Sequence, residues 1–300
     1  MAAITAYLNG DWIPSSELHI AVDDLGFLLG ATATERLRTF HGQIYRLDDH
    51  IARLSGSLDI MGLDREAVLQ EVAAAIPEFL LRNQALFDPN DDWAVIAFAT
   101  PGSTRSQRPT VCVHGNPLPF HQWADKFERG VHVVVSKYRQ VPTNCWPADL
   151  KCRSRMHYFL ADREAAAKQP GARAIVLDQA GYVAEATTAN VVIYREEEGL
   201  ISPPYEHILA GVSLTIVKQL AVMLNIPFSM RPISVDEFCT ADEALLTSTS
   251  ICVLPIVACD GKRIGDGRPG PAFKKVLQAW SAGVGVDIAE QARRFANRAK

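Results

Sequence analysis

Residues 177–192, LDQAGYVAEATTANVV, are the stretch of the sequence that decides the fold. In the longer run 172–194, strand-forming residues lie on both sides of the group 178–181, which has the Asp and Gly typical of a turn. The run predicts a pair of strands joined by this turn. Glu185 lies in the second strand among small residues, and alone it reads as an exposed strand glutamate.

Outward from this pair, helices and strands are mixed along the rest of the chain. The predicted strands are 130–138, 228–233, 243–246 and 253–258, and the predicted helices are 154–168, 211–225 and 271–280. In the first half we expect hairpins turning at Asn9-Gly10 and His41-Gly42, helices over 50–61 and within 65–81, and buried strands over 93–100 and 110–115. Because strands and helices do not alternate regularly, the pattern favours an α+β fold over a doubly wound one.

The length and one proline-rich segment predict the domain organisation. A chain of 300 residues is long for a single hydrophobic core. The segment NPLPFHQW, residues 116–123, places two prolines between strand-like runs. We therefore expect a small N-terminal domain over 1–117, a linker over 118–127 and a larger C-terminal domain over 128–300.

The composition excludes several classes of partner. A net charge of −4 gives no electrostatic reason to bind nucleic acid or an anionic membrane, so a small-molecule partner is expected. The N-terminal residues do not read as a signal peptide, and no apolar run is long enough to span a bilayer. The six cysteines are scattered, which predicts buried thiols in a cytoplasmic, reducing compartment.

General catalytic motifs are not found in the sequence. It has no GxxxxGK(S/T) phosphate loop, no HExxH and no GxSxG, and its eight histidines do not fall at metal-ligand spacing. We therefore predict no metal site.

Four separated segments, in order, nevertheless resemble the class IV aminotransferase family. The first, residues 23–57, has an Asp-x-Gly opening and a His-x-x-Arg-Leu helix, and the second, residues 150–165, has Lys-x-x-x-Arg. The third, residues 177–192, reads Leu-Asp-x-x-Gly-x-Val-x-Glu-x-x-x-x-Asn. The fourth is the pair 208–213 and 247–256. Each is weak alone, and the ordered set is specific. The resemblance implies a two-domain fold-type IV architecture like that of D-amino-acid aminotransferase, with pyridoxal 5′-phosphate (PLP) at the domain junction, PLP binding by the C-terminal domain, and a homodimer.

The same resemblance assigns roles in cofactor binding. Lys151 matches the lysine that holds PLP as a Schiff base, although alone it reads as a surface lysine before a helix. Glu185 matches the carboxylate that keeps the pyridine nitrogen protonated. Arg53 matches the arginine that pairs with the 5′-phosphate. Further phosphate contacts are expected from the opening of a helix and from a Ser/Thr run, namely Gly211, Val212, Ser213, Ser248 and Thr249.

The substrate side departs from the family pattern. Thr34, Glu35, Arg36 and Arg38 match the strand that lines this side, but many relatives have an aromatic residue in place of Thr34. Many relatives also read Thr-Arg-Gly where this chain has Thr100-Pro101-Gly102, and in D-amino-acid enzymes a nearby arginine helps to bind the substrate carboxylate. The candidates to replace that arginine here are Arg36, Arg38 and Arg105. Arg155 is closer to a lyase-like pattern than to the branched-chain one.

Three functions therefore remain open. The first is a PLP-dependent aminotransferase that moves an amino group between an amino acid and a 2-oxo acid. The second is aminodeoxychorismate lyase, which eliminates pyruvate with the same lysine and cofactor. The third is a relative that binds PLP or a partner without turnover, against which the presence of Lys151, Glu185 and Arg53 argues.

Overall fold

A computed structural model describes residues 3–106 and 108–298 of the chain. The chain folds into two compact units: the first is Met1–Leu118 with Asp149–Ser154, and the second is Pro119–Ala148 with Arg155–Lys300. The division falls near the predicted linker, and it also groups Asp149–Ser154, from within the predicted C-terminal domain, with the first unit. The predicted domain boundaries themselves remain a proposal.

The first unit is an antiparallel sheet covered by helices. Its strands, in the spatial order β2-β1-β6-β5-β3-β4, are β1 (Thr5–Leu8), β2 (Asp11–Pro14), β3 (Ala33–Phe40), β4 (Gln43–Ile44), β5 (Trp93–Thr100) and β6 (Thr110–Pro117). Its helices are α1 (Leu25–Leu28), α2 (Leu47–Met61) and α3 (Arg65–Asn83). Apolar residues of α2 and α3 form one core with one face of the sheet, including Leu54, Phe79 and Leu37. This burial leaves the other face of β3 for polar side chains.

Both predicted hairpins of the first unit are confirmed. At the first turn Asn9 has a φ of 53° and Gly10 a φ of 101°, and at the second His41 has a φ of 52° and Gly42 a φ of 72°. Two successive positive φ values are the geometry of the tight turn that matches strand twist, and glycine adopts them without strain. These two turns are therefore determined by local sequence.

The second unit is built on a mixed sheet. Its strands are β7 (Val131–Arg139), β8 (Arg173–Leu177), β9 (Val183–Ala186), β10 (Ala189–Arg195), β11 (Gly199–Ser202), β12 (Phe228–Met230), β13 (Glu243–Ser248), β14 (Cys252–Cys259) and β15 (Lys262–Arg263). The main order is β12-β11-β10-β13-β14-β7-β8-β9, and β9 also pairs with β10, so six strands form a closed circuit of pairing. The helices are α4 (Lys126–Arg129), α5 (Met156–Lys168), α6 (Val212–Met223), α7 (Val235–Cys239), α8 (Pro271–Val284) and α9 (Ile288–Phe295).

The predicted pair of strands is wrong in one respect: the run expected to form its second strand folds as two strands, β9 and β10. The turn at 178–181 is present, with Gly181 at a φ of 92°. A second tight turn then separates β9 from β10: Ala186 pairs with Ala189, and Thr188 between them has a φ of 67°. Threonine favours strands, so no local signal marks this turn. The turn brings Asn190 directly opposite Glu185.

In the part of the chain that the structure describes, no helix combines the length and the apolar composition that crossing a membrane requires.

Candidate active site

Lys151 lies in the first unit, in a short extended segment that adds to the start of β3. Its carbonyl oxygen accepts a hydrogen bond of 3.0 Å from the amide of Thr34. The next residue, Cys152, forms an antiparallel bridge with Ala33. On the other side, the amide of Lys151 donates to Oγ of Ser57 in α2 at 3.1 Å. The main chain of Lys151 is therefore fixed between β3 and α2.

A buried cluster of charged groups lies beside this segment. Glu35 in β3 is 2 % exposed, and its carboxylate accepts two hydrogen bonds from Arg53 in α2, from Nε at 2.7 Å and from Nη2 at 2.8 Å. Nδ1 of His50 lies 2.8 Å from Oε2 of the same carboxylate. Two bonds to one carboxylate fix the plane of the Arg53 guanidinium.

The cluster sets the ionisation of its members. Burial raises the pKa of Glu35, but the charge and hydrogen bonds of Arg53, the hydrogen bond of His50 and the charge of Lys151 outweigh it and lower this pKa to about 2. Burial lowers the pKa of His50, and the charges of Arg53 and Lys151 act in the same direction although Glu35 opposes them. Glu35 is therefore a carboxylate at neutral pH, and a neutral His50 donates its Nδ1–H to it.

Strand β3 separates these residues from the rest of the predicted substrate-side set. Successive side chains of a strand point to opposite faces, so Thr34, Arg36 and Arg38 lie on the face opposite to Glu35. The family resemblance groups Glu35 with these neighbours on the substrate side. In the structure it instead faces α2 and binds Arg53, so it belongs to the phosphate side of the predicted site.

The role predicted for Arg38 does not fit its surroundings. Arg38 is 1 % exposed, and its Nη2 lies 2.6 Å from Oδ2 of Asp92, which is 0 % exposed. Its guanidinium also lies over the ring of Phe40, 4.0 Å from the ring centre. A guanidinium committed to a buried carboxylate in this way is part of the core, so we do not propose Arg38 for the substrate.

Arg36 is half-buried on the same face, and its charge acts on the imidazole of His114. It pairs across the sheet with Ile96, which pairs in turn with His114. Burial and then the charges of Arg153 and Arg36 lower the pKa of His114 to about 4, so both guanidinium groups act on one imidazole ring. Arg153 and His114 also line a cavity of about 320 Å³ with Thr32 and five other residues of the first unit. Sequence reasoning missed Arg153, whose only signal was its position two residues after Lys151.

Thr34 is buried two residues before Arg36 in β3, and its hydroxyl already has a partner. Its Oγ1 donates to the carbonyl oxygen of Ala97 at 3.2 Å. Because its hydroxyl is already paired, Thr34 affects the face that it shares with Arg36 mainly by being small.

In the second unit, Glu185 is buried at the centre of a hydrogen-bond network. It lies in β9 and is 5 % exposed. Its Oε1 accepts hydrogen bonds from the hydroxyl of Tyr158, at 2.6 Å, and from Nε2 of Gln140. Its Oε2 lies 3.5 Å from Nδ2 of Asn190. Sequence reasoning missed both residues: Tyr158 lies in the matched segment 150–165 but not at one of its Lys-x-x-x-Arg positions, and Gln140 lies outside all four segments.

Asn190 connects this network to the start of α6. Its Nδ2 donates to the carbonyl oxygen of Leu209 at 2.9 Å. A Cβ on Gly211 would lie 2.0 Å from Oδ1 of Asn190, so any larger residue here would displace the Asn190 side chain. The helix begins at Val212, and its N-cap, Gly211, has no side chain with which to cap the first turn, which includes the buried Ser213. Backbone N–H groups at such a helix start favour an anion.

The predicted Ser/Thr loop is the turn between β13 and β14. Ser248 ends β13 and pairs with Cys252, the first residue of β14, so Thr249 lies in the turn between them. Ser248 and Thr249 are half-exposed, and α6 packs against β13. The structure thus places Lys151, Arg53, Thr34 and Arg36 together in the first unit. Glu185, the start of α6 and this turn lie in the second.

Comparison with known proteins gives a family match over most of the chain. The family described as amino-transferase class IV matches residues 32–259. The chain is 28 % identical over 284 residues to the branched-chain-amino-acid aminotransferase-like protein 1 of Arabidopsis thaliana, covering 93 % of this chain and 50 % of that protein. It therefore spans about half the length of that relative. It is 26 % identical over 277 residues to the D-alanine aminotransferase of Bacillus licheniformis, covering 90 % and 94 % of the two chains.

Solved structures share the fold. The crystal structure of the branched-chain amino acid aminotransferase of Escherichia coli superimposes with a TM-score of 0.85 at 21 % identity, covering 94 % of each chain. This similarity confirms the predicted α+β, two-domain fold-type IV architecture.

Proposed function

The chain belongs to the class IV aminotransferase family, and we propose that it is a PLP-dependent aminotransferase that holds its cofactor covalently on Lys151. Its partners are then an amino acid as donor and a 2-oxo acid as acceptor. The observation that carries the proposal is the position of Lys151, whose main chain is fixed beside the buried Glu35–Arg53 pair.

The donor set of the first unit fits one end of PLP. Lys151 supplies the amine that bonds to the cofactor and, when released from it, can carry a proton between substrate and cofactor. Glu35 fixes the plane of the Arg53 guanidinium, and a planar set of N–H donors suits a phosphate group. Arg53 is therefore the residue that we propose for the 5′-phosphate.

The second unit has donor and acceptor groups of the kinds that a PLP ring and phosphate need. Glu185 is a buried carboxyl group that accepts hydrogen bonds from Tyr158 and Gln140, and a carboxylate suits a protonated ring nitrogen. Gly211, Val212 and Ser213 at the start of α6, with Ser248 and Thr249, supply backbone and hydroxyl groups for the phosphate. When bound, PLP supplies the electron sink that stabilises negative charge at the substrate Cα and carries the amino group from donor to acceptor.

On the substrate side we propose Arg36 for the substrate carboxylate, beside the small Thr34. Arg36 is half-buried and so remains near solvent. Its charge and that of Arg153 both act on the imidazole ring of His114. Pro101 takes the place of the arginine common in relatives. Both charges favour an anionic group on this face of β3.

We also propose a homodimer in the cytoplasm. Four apolar side chains near α1 are strongly exposed on the first unit, namely Val22, Phe27, Leu28 and Leu29, and a second copy of the chain would cover them. Phe27→Asp should then shift the molar mass measured by light scattering towards that of a monomer, whereas an unchanged dimer mass would remove this patch from the interface.

The cytoplasmic location rests on the six cysteines, all free thiols.

Single-turnover mixing tests the reaction. The PLP-loaded protein is mixed with a panel of L- and D-amino acids, and its absorbance spectrum should change to that of pyridoxamine phosphate. A 2-oxo acid should then restore the first spectrum. If no donor of either hand produces the change while aminodeoxychorismate yields pyruvate and 4-aminobenzoate, the protein is the lyase and the aminotransferase proposal fails.

A further inference from the structure

We infer that Tyr158 and Gln140 are positioning residues that orient the Glu185 carboxylate for the ring nitrogen of PLP. The inference rests on the proposed function, because it concerns the same cofactor.

First, two hydrogen-bond donors converge on a single oxygen atom of Glu185. The Tyr158 hydroxyl donates to Oε1 of Glu185 at 2.6 Å, and Nε2 of Gln140 contacts the same oxygen. Nε2 of Gln140 also lies 3.1 Å from the Tyr158 hydroxyl oxygen, so the three groups form a closed triangle. Hydrogen bonds to a carboxylate favour its charged form, and two donors on Oε1 also restrict rotation of the group.

The second ground is that both donors are themselves fixed. Oε1 of Gln140 accepts a hydrogen bond of 2.9 Å from the amide of Val141, which orients the side-chain amide with Nε2 towards Glu185. The Gln140 backbone amide donates to the carbonyl oxygen of Leu177 at the end of β8. Tyr158 lies in α5, which packs on β7 and β8 through Ala161, Ala165 and their neighbours. Tyr158 therefore lies on a helix packed against the sheet, and Gln140, directly after β7, is held by hydrogen bonds of its backbone and side-chain amides.

The third ground is the ionisation of Tyr158. Burial, and then the charge and hydrogen bond of Glu185, raise the pKa of Tyr158 well above its usual value, although Gln140 and the charge of Arg155 oppose this. The hydroxyl thus keeps its proton at neutral pH and acts as a donor. The groups that act on it are Glu185, Gln140 and Arg155, and Asn190 approaches the other carboxylate oxygen.

These contacts determine how the Glu185 carboxylate can bind a protonated ring nitrogen. Tyr158 and Gln140 hold Oε1, and the carboxylate keeps the negative charge that makes it an acceptor for a protonated ring nitrogen. Without one donor, the carboxylate is a poorer partner for that proton. A role in stability alone would leave the protonation of the ring nitrogen unchanged.

The test is Tyr158→Phe, which removes only the hydroxyl, with Tyr194→Phe as the matched control. Tyr194 is half-buried in β10 and no role in the site is proposed for it. The protein is loaded with PLP carrying ¹⁵N in the ring, and the ¹⁵N chemical shift is recorded as the pH is raised. In wild type and Tyr194→Phe the nitrogen should stay protonated through neutral pH. In Tyr158→Phe it should lose its proton at lower pH, and kcat should fall roughly tenfold to a hundredfold, the effect of one hydrogen bond to a charged group, with little change in KM.

Gln140→Met removes the second donor and keeps the Tyr158 ring, so it tests the inference even if Tyr158→Phe does not fold. Folded variants that bind PLP and show the wild-type ¹⁵N titration and kcat would overturn the inference. Failure of the proposed function looks different, because it shows in the wild-type protein itself, which would then either bind no PLP or bind PLP that no amino donor converts to the pyridoxamine form.

Discussion

Arg36 and Arg38 are two residues apart on one face of β3, yet their surroundings predict opposite effects of substitution. Arg38→Leu leaves Asp92, which is 0 % exposed, without its cation, and should lower the free energy of unfolding by about 3–5 kcal/mol. Arg36→Leu should change stability by about 1 kcal/mol or less but raise KM for the amino donor. Urea unfolding and steady-state kinetics on both variants measure the two effects. A stable Arg38→Leu protein with weakened substrate binding would return Arg38 to the substrate set.

Glu35 gives a prediction about acid stability. Its pKa in the folded protein is about 2, below the ordinary value of 4.5, so the stability it contributes is fully present above pH 4.5 and is lost as the pH falls towards 2. A shift of this size corresponds to about 3 kcal/mol, at about 1.4 kcal/mol for each pH unit. The difference in free energy of unfolding between wild type and Glu35→Gln should therefore shrink on acidification. A difference that stays constant over this range would show that Glu35 is not held ionised by Arg53.

From the sequence, single residues could be proposed for the site, but the residues that contact them could not. The order of the motifs singled out Lys151, Glu185 and Arg53, whose roles stay predictions. The contact of Glu35 with Arg53 joins a strand to a helix, and the contact of Tyr158 with Glu185 joins a helix to a strand. Such contacts depend on how elements pack, which no local pattern specifies.

At the scale of elements, the start of α6 depends on Gly211 for steric reasons. Its φ of −71° suits any residue, but an added Cβ would lie 2.0 Å from Oδ1 of Asn190. Gly211→Ala should therefore displace Asn190, lower stability by about 1–3 kcal/mol and weaken PLP binding. Gly283→Ala is the matched control, because Gly283 lies inside α8 with nothing within 4 Å of an added Cβ. This control should be neutral or stabilising by up to about 1 kcal/mol. Thermal unfolding and PLP titration measure both; equal behaviour of the two variants would contradict the steric account.

Elements with local signals were predictable, and those without were not. The hairpins at Asn9-Gly10 and His41-Gly42 follow from residues that accept positive φ. The turn at Thr188 has residues that favour strands, so the sequence showed β9 and β10 as one strand. Helix α9, Ile288–Phe295, was also missed, since eight residues give little periodicity to recognise.

At the scale of the whole molecule, the chain passes from the first unit to the second near Leu118 and returns for Asp149–Ser154. This return carries Lys151 to β3 and α2, more than 90 positions earlier in the sequence. The sequence showed the proline-rich segment but placed all of 128–300 in one domain, because pairing between distant segments leaves no local signature. Fold class was predictable because it depends on the overall mixture of helices and strands.

The central claim is that Lys151 carries the cofactor, and borohydride reduction of the PLP-loaded protein tests it most directly. Reduction fixes PLP on the lysine that holds it, and mass spectrometry of the peptides identifies that residue. We expect the label on Lys151 in the wild type and in Lys137→Ala, an exposed-lysine control, and no label at this position in Lys151→Ala. A wild-type protein labelled on a different lysine, or one that takes up no PLP, would contradict the claim.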